Sequence, residues 1–329
     1  MENNLMVSST PHVRSNETIS SVMRDVVIAL LPAAIMGIVY FGIRAAILII
    51  ISIVSSVGFE ALYQKLSKQK VTVTDFSAVI TGLLLAMNMP STAPFWVPVV
   101  GAFFAIVIVK QIFGGLGQNF MNPALGARAF LVASYPTAMT GAAFGATSYG
   151  VIGAVDATSS ATPLAQLAEG TVNLTQQDYV NAFIGNIGGC IGETCAIALI
   201  LGGVYLMMKK VISWKIPVSY ILTVFVLTYI FKLCGAAPTR EPLYELLTGG
   251  LMLGAFFMAT DYASSPVTPN GQIIMGIGCG VLTTLIRLFG GYPEGVSYSI
   301  LLMNLCVPLI DRYTRPKIFG ALKKEAKKS

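Results

Sequence analysis

The residues best suited to chemistry in this chain form one short run, Asp156-Ala157-Thr158-Ser159-Ser160-Ala161-Thr162-Pro163-Leu164. It is rich in small hydroxyl side chains and lies in a polar loop of an otherwise apolar sequence. Thr162, followed by Pro163 and then Leu164-Ala165-Gln166-Leu167, has the pattern of a helix N-cap with proline at the first helical position. Such an end leaves backbone N–H groups free and carries a partial positive charge, so a phosphate can sit there. Thr162 is therefore either an ordinary cap or the anchor of a phosphorylated cofactor. The local pattern leaves both open.

Other reactive side chains are sparse. His12 is the only histidine, so this chain by itself can form neither a bis-histidine haem site nor a His-rich metal site. Five cysteines (Cys190, Cys195, Cys234, Cys279 and Cys306) lie in or beside apolar segments. Only Cys190 and Cys195 are near each other, and the set reads as small residues of packed helices rather than iron–sulfur ligands. No metal site and no catalytic side chain is expected. Redox work would rest on a cofactor held by hydroxyls, amides and backbone.

Asn119 and Asn122, in a polar Gly-rich break, form a second candidate site. Two amides at this spacing can bond an uncharged polar ring system; alternatively Asn122-Pro123 starts a helix and Asn119 satisfies frayed carbonyls. Charges inside apolar segments are expensive and default to function, which singles out Glu193, Asp261, Lys110, Arg128 and Arg287. Lys110 and Arg287 lie near segment ends, where snorkelling accounts for them. Glu193 and Asp261 lie beside Gly-rich or broken segments and are candidates for ion coupling or structural pairing.

These residues need a membrane scaffold. The chain has 329 residues, 55% hydrophobic and 11% charged, whereas soluble domains carry about 25% charged residues. An all-α polytopic membrane protein is expected. Apolar runs fall at about 25–42, 44–62, 76–89, 96–113 and 123–135, then at about 183–208, 216–233, 244–260, 272–289 and 296–311. They divide the chain into an N-terminal segment (1–24), five segments (25–135), a long loop (136–181), five more segments (182–311) and a basic tail (312–329). Thr81-Gly82-Leu83-Leu84-Leu85 answers Thr248-Gly249-Gly250-Leu251-Met252, each expected to open a short broken segment, and Phe113-Gly114-Gly115 answers Phe289-Gly290-Gly291. A repeat of five spans is odd, so the second half would be inverted, with the short Gly/Pro-broken segments at the functional centre.

With the N-terminus inside, the inner segments hold 16 of the 21 basic residues, as the positive-inside rule requires. The 136–181 loop has no Lys or Arg but contains Asp156, Glu169 and Asp178. It is expected outside the cytoplasm, with both termini cytoplasmic and no cleavable signal peptide. Topology accounts for the net charge of +6, so no nucleic-acid partner is implied.

The sequence resembles the NqrB/RnfD family, membrane subunits of the sodium-pumping quinone reductase and of the Rnf ion-translocating ferredoxin:NAD oxidoreductase. The likeness runs nearly end to end. It covers Ser8-Ser9-Thr10-Pro11-His12-Val13-Arg14, Thr81-Gly82-Leu83-Leu84-Leu85-Ala86, and Phe113-Gly114-Gly115-Leu116-Gly117-Gln118-Asn119 with Asn122-Pro123-Ala124. It continues through Arg128-Ala129-Phe130, Gly192-Glu193-Thr194, Thr260-Asp261-Tyr262-Ala263 with Ser265-Pro266, and Phe289-Gly290-Gly291-Tyr292-Pro293-Glu294-Gly295. The length favours the RnfD branch, because NqrB has a longer N-terminal region.

The resemblance implies that a mid-chain threonine carries FMN through a phosphoester, within the pattern Asp-x-x-(Ser/Thr)-Gly-Ala-Thr. That pattern falls on Asp156, Ser159, Ser160, Ala161 and Thr162, with Ser160 where glycine is usual. Thr162 would be the attachment site, on a mobile and exposed segment, and Asp156 would orient the loop or meet the transferase's substrate. A non-covalent riboflavin or second flavin at Asn119 and Asn122, partner Rnf subunits, a flavin transferase acting outside the cytoplasm and a bacterial inner-membrane location are likewise implied. Within such a complex the chain would pass electrons between ferredoxin and NAD while Na+ or H+ moves, and it would be inactive alone. A channel or secondary transporter on the same inverted repeat is the rival, since fold does not fix function. That rival does not account for the Asp156–Thr162 pattern.

Overall fold

The computed structural model describes residues 17–139, 162–169, 174–235, 237–291 and 294–316. Helix α1 (Ile19–Phe41) starts from a capping box between Thr18 and Ser21. It ends at Gly42, whose φ of +74° disfavours any side chain, and α2 (Ile43–Leu66) begins at the next residue. The turn between the first two apolar runs is thus a single residue. α3 (Ser77–Met87), α4 (Trp96–Phe103, continued by a π-helical stretch Phe104–Gln111) and α5 (Pro123–Ser134) follow. Next come three short helices, α6 (Pro136–Met139), α7 (Pro163–Glu169) and α8 (Gln176–Ile184). The remainder is α9 (Ala196–Met208), α10 (Lys215–Leu233), α11 (Pro242–Leu247), α12 (Leu251–Leu253, continued by a π-helical Gly254–Met258), α13 (Pro269–Phe289) and α14 (Val296–Thr314).

Helices α1, α2, α10 and α13 are each long and apolar enough to cross a bilayer, and α3, α4 with its continuation, α5 and α9 are shorter apolar helices. This is the architecture of an all-α polytopic membrane protein. Along α1, Ile28, Leu31, Ile35 and Val39 are exposed while Ala29, Ala33, Ala34 and Gly37 are buried. Large apolar residues outward and small ones inward is the pattern of a helix that meets lipid on one side and a neighbour on the other. That neighbour is α9: a Cβ on Gly202 would stand 2.2 Å from the Ala29 carbonyl oxygen. Only glycine permits that approach.

Two expected segments are interrupted. The apolar run at 183–208 is not one helix: α8 stops at Gly185 (φ +113°) and irregular backbone continues to Cys195. Gly185, Gly188, Gly189 and Gly192 weaken helix propagation there. Their backbone groups find partners across the fold instead, as buried irregular backbone must. The N–H groups of Ile191 and Gly192 donate to the carbonyls of Met89 and Met87 at 3.0 and 2.9 Å. The eighth run is split at Thr248–Gly250, between α11 and α12. By contrast Thr81-Gly82 does not open its segment; it lies within α3, where the Ser52 hydroxyl donates to the Gly82 carbonyl at 2.7 Å.

Candidate functional site

Thr162 is a helix cap in fact. Its Oγ1 accepts the Ala165 N–H at 3.3 Å and its carbonyl accepts the Gln166 N–H at 3.0 Å, with Pro163 opening α7. The residue is only 8% exposed, so the freely exposed hydroxyl expected from the sequence is not found. Leu164 and Leu167 hold α7 in a small apolar cluster with Ala182 and Tyr244. Seven residues make about two turns, too short for a sizeable macrodipole. Thr162 borders a small crevice together with Gly188, Gly189, Glu193, Thr194, Gly249 and Glu294. Asp156, Ser159, Ser160 and Ala161 lie outside the described residues.

Glu193 sits on the irregular segment before α9 and is paired. Arg128 of α5 donates from Nη1 to Glu193 Oε1 at 2.8 Å and to Asn88 Oδ1 at 2.7 Å, and from Nη2 to Glu294. Ligand atoms of Cys190, Glu193 and Glu294 lie within 4.8 Å of one another. The guanidinium already bonds both carboxylates, so the trio is an ion-pair cluster rather than a metal cage. A buried arginine serves here because its planar fork satisfies several acceptors at once.

A second, larger cavity includes Thr81, Lys110, Asn119, Asn122, Phe257 and Asp261 in its lining. Asn122 caps α5, its Oδ1 accepting the N–H groups of Ala124 and Leu125 at 3.0 and 3.3 Å, while its Nδ2 donates to the Met258 carbonyl at 3.3 Å. Asn119 Nδ2 donates to the Met121 carbonyl at 2.9 Å and reaches Asp261 Oδ2 at 3.5 Å. Asp261 also accepts the Ser264 hydroxyl at 2.9 Å. Both π-helical stretches supply part of the wall, through Lys110 and Phe257. Such stretches are frequent at functional sites.

The structure therefore gathers Asn119, Asn122 and Asp261 at one cavity and Thr162 and Glu193 at another. Thr194 lies just before α9 and Leu206, which lines the large cavity, lies near its end. At 1.5 Å rise per residue the two sites are separated along α9 by roughly 20 Å.

Lys110 and Arg287 do not snorkel. Lys110 is 2% exposed and its Nζ lies 2.9 Å from both carboxylate oxygens of Glu60 and 2.6 Å from Ser77 Oγ. Arg287 is 1% exposed and donates from Nη1 to the Glu245 carbonyl at 2.8 Å, while Arg240 bonds the Glu245 carboxylate at 2.7 Å. Each basic residue preceding a Phe-Gly-Gly thus ends in a buried ion pair, because an acid nearby in the fold removes the need to reach the membrane surface. Glu60, Glu245, Arg240, Thr194 and Glu294 were not singled out by sequence reasoning as site residues. For the three glutamates the signal in the sequence was an acid at the margin of an apolar run, which looks the same as a loop residue.

A family model described as the NQR2, RnfD, RnfE family matches residues 6–320. The chain is 52% identical over 330 residues to the D subunit of the Na(+)-translocating ferredoxin:NAD(+) oxidoreductase complex of Acetobacterium woodii, covering 99% of each. It is 46% identical to the D subunit of the proton-translocating ferredoxin:NAD(+) oxidoreductase complex of Clostridium ljungdahlii, covering 97% of each. It is 34% identical to the D subunit of the ion-translocating oxidoreductase complex of Aliivibrio salmonicida, over 95% of this chain and 98% of that one.

Proposed function

Because the chain belongs to the NQR2, RnfD, RnfE family, we propose that it is the flavin-carrying membrane subunit of an ion-translocating oxidoreductase complex. In this reading Thr162 would hold FMN as a phosphoester, and the bound flavin would supply the electron transfer between ferredoxin and NAD. The observation that carries this reading is the position of the Thr162 hydroxyl beside a crevice whose wall includes Thr194, a buried hydroxyl with no hydrogen-bond partner. An unpartnered buried donor next to a candidate acceptor hydroxyl fits a phosphoryl group. Bound FMN supplies the one- and two-electron chemistry that no side chain of this protein offers.

The residues around it hold and exclude. Thr162 carries the ester, the apolar cluster around Leu164 and Leu167 fixes α7, and Arg128 pairs with both Glu193 and Glu294 beside it. The large cavity suits a non-covalent riboflavin or similar uncharged flavin, with Asn119 at its edge and Asn122 holding the end of α5. Among the described residues no basic side chain lies within ion-pair distance of Asp261, which keeps it the better candidate for ion coupling than Glu193.

We further propose ten membrane segments in two inverted halves within the cell membrane, both termini cytoplasmic and residues 136–181 outside. The matched burial of Lys110 and Arg287 before the two Phe-Gly-Gly turns supports the repeat. The outer position of the loop gives a flavin transferase access from outside, and the remaining Rnf subunits are the working partners. Relatives at 52% and 46% identity carry names with different ions, so overall similarity does not choose between Na+ and H+.

The test is direct. The chain, co-expressed with a flavin transferase and run on a denaturing gel, should fluoresce as a flavoprotein at its own band. A dark band would rule the reading out and leave a channel or transporter on the same fold.

A further inference from the structure

We infer that Thr194 Oγ1 and Arg287 Nη2 form the binding site for the phosphodiester anion that joins the cofactor to Thr162, an inference that rests on the reading of Thr162 above. Three buried side-chain atoms among the described residues lack a hydrogen-bond partner, and two of them are these; the third is Ser56 Oγ. Both residues are 1% exposed. Thr194 borders the crevice directly, with Thr162. Arg287 approaches it from behind Gly249, another residue of the crevice wall: a Cβ on Gly249 would stand 3.4 Å from Arg287 Nη2 and 2.6 Å from Leu164 Cδ1. The absence of a side chain at Gly249 is what brings the guanidinium so near.

The rest of the arginine is already committed. Its Nε donates to the Glu294 carbonyl at 3.1 Å and its Nη1 to the Glu245 carbonyl at 2.8 Å, which aims Nη2 and leaves it spare. A buried donor without an acceptor is costly, and a charged one more so. A guanidinium can only donate, so the group completing this site is an acceptor, and an anion also matches its charge. A metal cation is excluded by the same chemistry.

Glu193 and Glu294 face the crevice and share the single guanidinium of Arg128, so an anion beside them needs the second guanidinium, that of Arg287. Glu245, paired with Arg240, lies on the far side of Arg287. Since α7 is only seven residues long, its backbone cannot supply the anion site alone, and side-chain donors have to.

The experiment compares the full chain purified with and without its flavin, for wild type, Thr194→Val, Thr194→Ser and Arg287→Lys. In-gel fluorescence sets equal flavin occupancy. Loading should raise the wild-type melting temperature. In Thr194→Val that rise should shrink by about 2–4 °C, the effect of one lost hydrogen bond to a charged group. The unloaded Thr194→Val chain should melt no lower than wild type, because it loses only an unsatisfied hydroxyl. Thr194→Ser should restore the rise, and fluorescence anisotropy of the loaded Thr194→Val and Arg287→Lys chains should fall as the flavin loosens. An equal rise in wild type and Thr194→Val, with equal anisotropy, would overturn the inference while leaving Thr162 as the anchor. A wild-type band without flavin would sink both. The Thr194 pair carries the test even if Arg287→Lys does not fold.

Discussion

Arg128 Nη1 lies 2.8 Å from Glu193 Oε1, and the contacts of this guanidinium link the walls of the two cavities. On one side Glu193 and Glu294 border the Thr162 crevice. On the other the Arg128 fork bonds Asn88, whose amide donates to the Leu84 carbonyl at 2.6 Å, and Leu84 and Asn122 border the large cavity. A single guanidinium thus ties the segment before α9, the turn after α3 and the start of α14 to α5.

Replacing Arg128 with Gln is expected to be severe, since the buried Glu193 and the half-buried Glu294 lose their shared counter-charge. Removing one partner of a buried pair costs about 3–5 kcal/mol. The double variant Arg128→Gln/Glu193→Gln should lose less than the sum of the two single variants, by a coupling of about 0.5–3 kcal/mol. Unfolding in detergent, followed by intrinsic fluorescence, measures the cycle; strict additivity would show that the pair is not coupled.

Thr162→Ser and Thr162→Val separate the two roles of one hydroxyl. Serine keeps both cap and ester acceptor, so fluorescence at the band should survive. Valine should abolish fluorescence and also lower stability by about 1 kcal/mol through the lost cap. Fluorescence retained in Thr162→Val would place the attachment elsewhere.

The Glu60–Lys110 pair offers a control remote from the Thr162 crevice. Lys110→Met leaves a carboxylate that is 1% exposed, with an expected loss of about 3–5 kcal/mol. Glu60→Leu combined with Lys110→Met should recover most of that loss, because replacing a whole buried pair by apolar groups is often neutral. A double variant as unstable as Lys110→Met would assign the defect to lost packing.

The start of α8 should respond to acid. The Thr175 hydroxyl and then the Thr175 backbone N–H, at 2.7 and 2.8 Å, hold the Asp178 carboxyl below its ordinary value of 3.8. A carboxyl depressed in the folded state contributes stability above its unfolded value and loses it as pH falls through the folded one. Amide exchange at the first turn of α8, corrected for intrinsic rates, should therefore accelerate once pH drops below about 3.8. Asp178→Asn should exchange at the faster rate throughout; an unchanged acid step in that variant would refute the capping role.

How far the sequence could be read follows the physics of each feature. Helices such as α1, α2, α10 and α13 were legible because hydropathy is a local sum over the segment. The cap at Thr162 and the cap at Asn122 were legible because both the hydroxyl or amide and the proline are adjacent in sequence. The interruption at 185–195 was not, because glycines in apolar runs also occur inside packed helices, as Gly202 does. What decides is whether the freed N–H groups meet carbonyls, here those of Met87 and Met89 about a hundred residues earlier. The fate of Lys110 and Arg287 was hidden for the same reason: Glu60 is 50 residues away from Lys110, and pairing at that range is set by tertiary packing.

The pairing of Arg128 also has a timetable. Glu193 follows it by 65 residues and Glu294 by 166. At about 5–20 residues per second, the first counter-charge is synthesised roughly 3–13 s after α5, and the second roughly 8–33 s after it. An unneutralised arginine in mid-bilayer costs about 2.5–3.5 kcal/mol on insertion scales. During biogenesis Arg128 therefore leaves the ribosome before either of its counter-charges has been translated, and the charge pairing of α5 is completed only when the second half of the chain arrives.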